Sequence, residues 1–127
     1  MDSHEKNRLY GEGLEAFNSR KFFEAHELWE DVWRLTPDPD RKFLQGLIQV
    51  AAAFHHCSRS NVRGTRNLLR EGLLKLDLFP EAYGGLEIGP LRAAVREWLV
   101  AIGAQGEIPK GLDPPRIKRH AGTRLST

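Results

Sequence analysis

An all-α fold is what this sequence predicts: a bundle or array of five helices, paired as hairpins around one central apolar helix, with a disordered C-terminal tail. Three observations carry this. Apolar residues recur at helical spacing in five separate stretches, and no stretch alternates apolar and polar over six residues, so no strand is expected. From Phe43 to Cys57 no charged residue occurs, and a segment apolar around most of its circumference must be packed on several sides. The chain's 127 residues have room for one domain, with residues 1–105 as the helical body and 106–127 as a flexible basic tail.

The first helix is expected from about Glu5 to Asn18, with Ser3 as N-cap and Tyr10, Leu14 and Phe17 on its apolar side. Gly11 and Gly13 weaken it, and their better use is close packing against another helix. Asn18-Ser19-Arg20 makes a short turn. The second helix runs from Lys21 or Phe22 to about Leu35, where Pro37 and Pro39 stop it. At ~100° per residue, Phe22, His26, Trp29, Glu30 and Trp33 share one side of it and Glu27 and Asp31 stack on another. The third helix, opened by Asp38 or Asp40, covers Arg41 to about Arg59. The fourth follows Asn61 as N-cap and continues to Asp77 or Phe79, with Leu68, Leu69, Leu73, Leu74 and Leu76 apolar. Glu81 to Gly89 reads as a loop. Pro90 opens the fifth helix, which carries Leu91, Val95, Trp98, Leu99 and Ile102 and ends at Gly103 or Gly106. The residues beyond, rich in Pro and Gly and poor in apolar side chains, predict a tail without structure.

Composition excludes several classes of function. A single cysteine, Cys57, rules out an intrachain disulfide and a zinc site built on several thiolates, and fits a reducing, cytoplasmic setting. No run approaches the ~20 apolar residues of a membrane span, and the N-terminus lacks the apolar core of a signal peptide. Residues 1–105 hold 14 Lys and Arg against 15 Asp and Glu, so the net charge of +2 comes from the tail. Nucleic-acid binding by the body is therefore not expected, and the stripe Arg59, Arg63, Arg66, Arg70 reads as a solvated face. Gly13, Ala25 and Pro37, twelve apart, imitate one tetratricopeptide hairpin, but one and a half hairpins fall short of the three repeats a solenoid needs.

The chemistry-bearing residues gather on the second helix. His26 and Glu30, at i and i+4, can share a proton or a metal ion, His55 of the central helix can add a third donor, and Gln45 or Glu27 can support them. His-Glu-x-x-Glu matches the zincin His-Glu-x-x-His only in part, because Glu30 replaces the second histidine. The competing reading is structural: a histidine on an apolar face that bonds a neighbouring carboxylate and orders the core. Trp29 and Trp33 read as core.

Phe23-Glu24-Ala25-His26-Glu27, then Glu30 and Trp33, then Gln45-Gly46-Leu47-Ile48-Gln49 with alanines and His55 after it, resemble the signature of small prokaryotic helical proteins grouped as domain-of-unknown-function family 309. The resemblance spans roughly Tyr10 to Leu76. It implies an all-helical fold, marks Glu24, His26, Glu27, Glu30, Gln45 and His55 as positions that matter, and implies no activity.

The functional expectation is a noncatalytic module that binds a protein partner or small ligand, with a buried His26/Glu27/Glu30/Gln45/His55 polar network and the capacity to form a homo-oligomer. The alternative is a small metal-dependent hydrolase-type enzyme using His26, Glu30 and His55. No cofactor is expected under the first reading, and a divalent metal under the second.

Overall fold

The computed structural model describes residues 1–120. Five helices dominate it: α1 (Ser3–Asn18), α2 (Phe22–Trp33), α3 (Asp40–Ser58), α4 (Val62–Leu76) and α5 (Ile88–Gln105). Each packs on the next along the chain, α1 on α2, α2 on α3, α3 on α4 and α4 on α5, so the array is a run of antiparallel hairpins with α3 between α2 and α4. Among the described residues no helix is long and apolar enough to cross a membrane.

The helix starts follow the capping rules with one shift. Asp2, not Ser3, caps α1, its carboxylate accepting from the Glu5 amide at 2.8 Å. Asn61 caps α4 as expected, accepting from Gly64 N at 3.0 Å. Neither Asp38 nor Asp40 serves as the N-cap residue of α3. Asp40 lies inside its first turn, 2% exposed, and accepts a hydrogen bond from the Tyr83 hydroxyl. Burial and that bond push the Tyr83 hydroxyl up to about 12.

Between α4 and α5 the expected loop contains a minimal hairpin, β1 (Ala82–Tyr83) against β2 (Leu86–Glu87). Its loop is Gly84-Gly85, with φ of 59° and 75°, a left-handed pair that glycine adopts without a Cβ penalty. The Tyr10 hydroxyl donates to Gly84 O at 2.6 Å and anchors the hairpin to α1.

The core is aromatic where α1, α2, α3 and α5 meet. Phe17 stacks on Trp29 at 5.9 Å, Phe54 meets Phe22 at 5.5 Å, and Trp98 stands edge-on to Phe54 at 5.1 Å. Gly13 belongs to this layer for the reason its sequence setting suggested: a Cβ there would lie within 2.5 Å of Trp29 Cδ1. On α4 the expected apolar side is narrower than predicted, since Leu69 and Leu76 are buried while Leu74 is 70% exposed.

The tail expected to begin after Gly106 is not free over 107–120. Ile117 is 3% exposed, its backbone is bonded by the Asn18 side chain, and Leu86 bridges Arg119 in antiparallel fashion beside β2. Low apolar content predicted disorder, but the binding is done mainly by main-chain atoms, which composition does not register. Residues 121–127 of the expected tail lie outside the described residues.

Candidate functional site

Helix α2 buries Phe22, Ala25, Trp29 and Val32, a stripe at spacings of three and four. His26 and Glu30 stand one position round from that stripe, about 100° away, so they fall at its edge. The buried network expected there is instead half-open: the His26 and Glu30 side chains keep 25% and 35% of their exposure, with His26 Nε2 3.3 Å from Glu30 Oε2. His26 Nδ1 is buried without a hydrogen-bond partner among the described residues.

The adjacent Phe22-Phe23 pair divides between inside and outside for the same angular reason. Phe22 enters the core and Phe23 stays 50% exposed, its ring 5.9 Å from the His26 ring and 5.2 Å from that of His55. Helix α3 supplies Ala52, His55 and His56, at i, i+3 and i+4 on one face. Together Phe23, His26, Ala52, His55 and His56 line an open cleft of about 270 Å³ between α2 and α3.

The rings in this cleft have distinct proton inventories. Asn61 Oδ1 takes the Gly64 amide, which leaves Asn61 Nδ2 facing His56 Nδ1 at 3.1 Å, an arrangement that suits the tautomer with the proton on Nε2. His55 is held below the ordinary histidine value of 6.5, first by desolvation and then by the Arg59 guanidinium, with the neighbouring His56 and His26 rings acting in the same direction. A lowered base favours the fold in its neutral form. Its contribution is complete above pH 6.5 and is lost as pH falls from there through the folded-state value. NMR titration should therefore place the His55 midpoint below 6.5, and His55→Gln should flatten the stability loss in that acid window; a midpoint at or above 6.5 would remove the desolvation argument.

The remaining expected site residues lie on other surfaces. Glu27 lines a separate acidic groove of about 570 Å³ with Glu12, Glu24, Glu30 and Asp31, where Arg34 pairs with Asp31 at 2.7 Å and Glu30 at 3.4 Å. Gln45 lies in a small cleft of about 120 Å³ with Glu30, Trp33, Ile48 and Gln49. Glu30 is thus the residue common to the acidic groove, the Gln45 cleft and the pair with His26. Among the described residues no three His, Cys, Asp or Glu side chains are arranged to hold a metal ion. Trp33 is half-buried at the edge, beneath the Arg41 guanidinium at 3.8 Å, while Trp29 is wholly buried. Burial pushes the Cys57 thiol up, which disfavours the thiolate a nucleophile needs.

Sequence reasoning missed Phe23, Ala52 and His56 as cleft residues. The signal was present in the Phe22-Phe23 doublet, since two successive helical aromatics cannot both face one core.

The molecule is an all-α domain of antiparallel helical hairpins with a histidine- and phenylalanine-lined cleft open between its second and third helices. Residues 10–68 match the model of the family described as Domain of unknown function (DUF309), which bears out the resemblance read from Phe23 to His55. An uncharacterized protein of Aquifex aeolicus (strain VF5) is 33% identical over 92 residues, covering 72% of this chain and 28% of that protein. The uncharacterized protein YpuF of Bacillus subtilis (strain 168) is 34% identical over 61 residues, covering 47% of this chain and 35% of YpuF. The matched regions are thus only about a third or less of each relative's length.

Proposed function

We propose that this chain is a noncatalytic binding module whose recognition surface is the cleft of Phe23, His26, Ala52, His55 and His56. The observation that supports it is the Phe23 ring, half exposed and bracketed by two imidazoles over an apolar floor at Ala52. A large aromatic kept at the surface costs the fold hydrophobic burial that an occupant would restore. The cleft suits a small planar ligand or one apolar side chain of a protein partner, with the neutral His55 as acceptor or donor. A reducing cytoplasmic setting goes with this reading, on the strength of the lone Cys57. So does a homo-oligomer, for which the exposed Leu74, Leu78 and Val100 are available. Nucleic acid and cofactors have no part in it.

The test is a titration with small aromatic acids and amines, followed by NMR at the imidazole carbons. Shifts at His26 and His55 that disappear in Phe23→Ala, with the melting temperature changed by no more than a few degrees, are expected. Unmoved imidazoles across such a set would sink the small-ligand form of the proposal.

The metal-dependent reading through His26, Glu30 and His55 has the His26–Glu30 pair in its favour. One equivalent of zinc, iron or manganese in untagged protein would promote it over the binding module.

A further inference from the structure

Away from the histidine cleft, the stretch 113–120 lies in a groove formed by α1, α5 and the β1–β2 hairpin. The hydrogen bonds that hold it share one property, which is that they address its main chain. Trp98 Nε1 donates to Asp113 O at 3.0 Å, and the Arg20 guanidinium donates to Pro114 O at 2.6 Å and Pro115 O at 3.2 Å. The Asn18 amide takes both main-chain groups of Ile117, donating to its O at 3.0 Å and accepting from its N at 2.8 Å. Glu87 N donates to Lys118 O at 2.9 Å, and His120 N donates to Gly85 O at 2.7 Å. A side-chain amide used in this way stands in for a neighbouring strand, and 118–120 then extends the hairpin as a third strand.

Side chains contribute at few positions. Ile117 is buried, Pro114 and Pro115 are half-buried, and Arg116 and Lys118 are exposed, while the Arg119 guanidinium lies beside Gly11 of α1 and the His120 ring is 4.0 Å from the Glu87 carboxylate. The groove thus selects an extended segment with two prolines and, two residues after them, a branched aliphatic anchor; the exposed positions 116 and 118 are free to vary. Residues 107–112 make no hydrogen bond to the other described residues, so the polar ties of the segment are concentrated in 113–120. None of those ties depends on the segment belonging to the same chain.

We propose that this groove is a peptide-docking site, filled in cis by residues 113–120, which accepts in exchange an extended Pro-Pro-x-Ile or Pro-Pro-x-Val segment of a protein partner. Recognition runs by strand addition to β2 and by the Asn18 clamp, with the Ile117 pocket setting register. The chain's own segment is a competitor that lowers the apparent affinity of any partner by the fraction of time it occupies the groove.

A fluorescein-labelled peptide with the sequence of residues 112–120 is the probe, followed by anisotropy against the full chain. Ile117→Asp, which expels the chain's own segment, should bind it at least tenfold more tightly than the unaltered chain does. Adding Asn18→Leu should cost at least tenfold again, and a peptide with Asp in place of its Ile should not bind. Should Ile117→Asp fail to fold, hydrogen exchange on the unaltered chain decides: excess peptide should accelerate exchange of the Ile117 and His120 amides. Equal binding of the Ile and Asp peptides would reduce the effect to charge attraction and overturn the proposal. No acceleration at those amides, or a chain that dimerises by exchanging the segment yet ignores the peptide, would overturn it as well.

Discussion

Trp29→Ala should lower the stability of the domain by about 3–5 kcal/mol, the range for deleting a large buried aromatic. Trp29 is fully buried, stacks on Phe17, and donates its indole N–H to Tyr10 O at 3.1 Å, so it joins α2 to α1 by packing and by a hydrogen bond. The residual cavity lies between two helices joined by a three-residue turn, which limits how far they can collapse into it. Against a total of about 5–15 kcal/mol for a domain, this is a large fraction. Urea denaturation followed by circular dichroism at 222 nm gives the value. A loss under about 1.5 kcal/mol, the upper end of the range for deleting a single buried methylene, would show that the indole does not organise this layer.

Gly13→Val tests the same contact from the other side. The new Cβ would lie against Trp29 Nε1 and Cδ1, and the indole has no free space to retreat into because it is already backed by Phe17. Overpacking of this kind costs about 1–3 kcal/mol, and the helix-propensity gain from replacing glycine is at most about 1 kcal/mol, less for a β-branched residue. The clash should win, with a net loss of about 2 kcal/mol. The decisive measurement is the double variant. In a Trp29→Leu background the Gly13→Val penalty should shrink toward zero or change sign, giving a coupling energy above about 1 kcal/mol. Additive losses would mean that Gly13 is needed for its backbone and not for the approach of the indole.

Much of the architecture could be read before the structure, and the reasons differ by element. Helix α3 was legible because fifteen successive residues without charge make most of its circumference fit for packing. The turn between α2 and α3 was legible because Pro37 and Pro39 remove donors a helix needs. The hairpin at Gly84-Gly85 was not, since two-residue strands carry no periodicity. The packing of 113–120 was missed because seven hydrogen bonds to main-chain atoms leave no trace in side-chain composition. At the site, the i, i+4 spacing of His26 and Glu30 predicted their pairing correctly. The depth of that pair was overestimated because the buried stripe is centred on Ala25 and Trp29, which shifts His26 to the rim. Gln45 and Glu27 were assigned to one constellation with it, whereas their helical angles send them to separate clefts.

The Phe54–Trp98 contact separates two kinds of unit that are easily equated. The segment that matches the family model ends at residue 68, partway along α4, whereas the ring that closes over Phe54 comes from α5. Leu76, which lies over Gly46 where α3 crosses α4, is likewise beyond that boundary. The matched segment is therefore a partial core, apolar on a side that it does not itself cover. In this chain the cover is α5 and the second half of α4, so the core closes only with residues beyond the stretch that the family model matches.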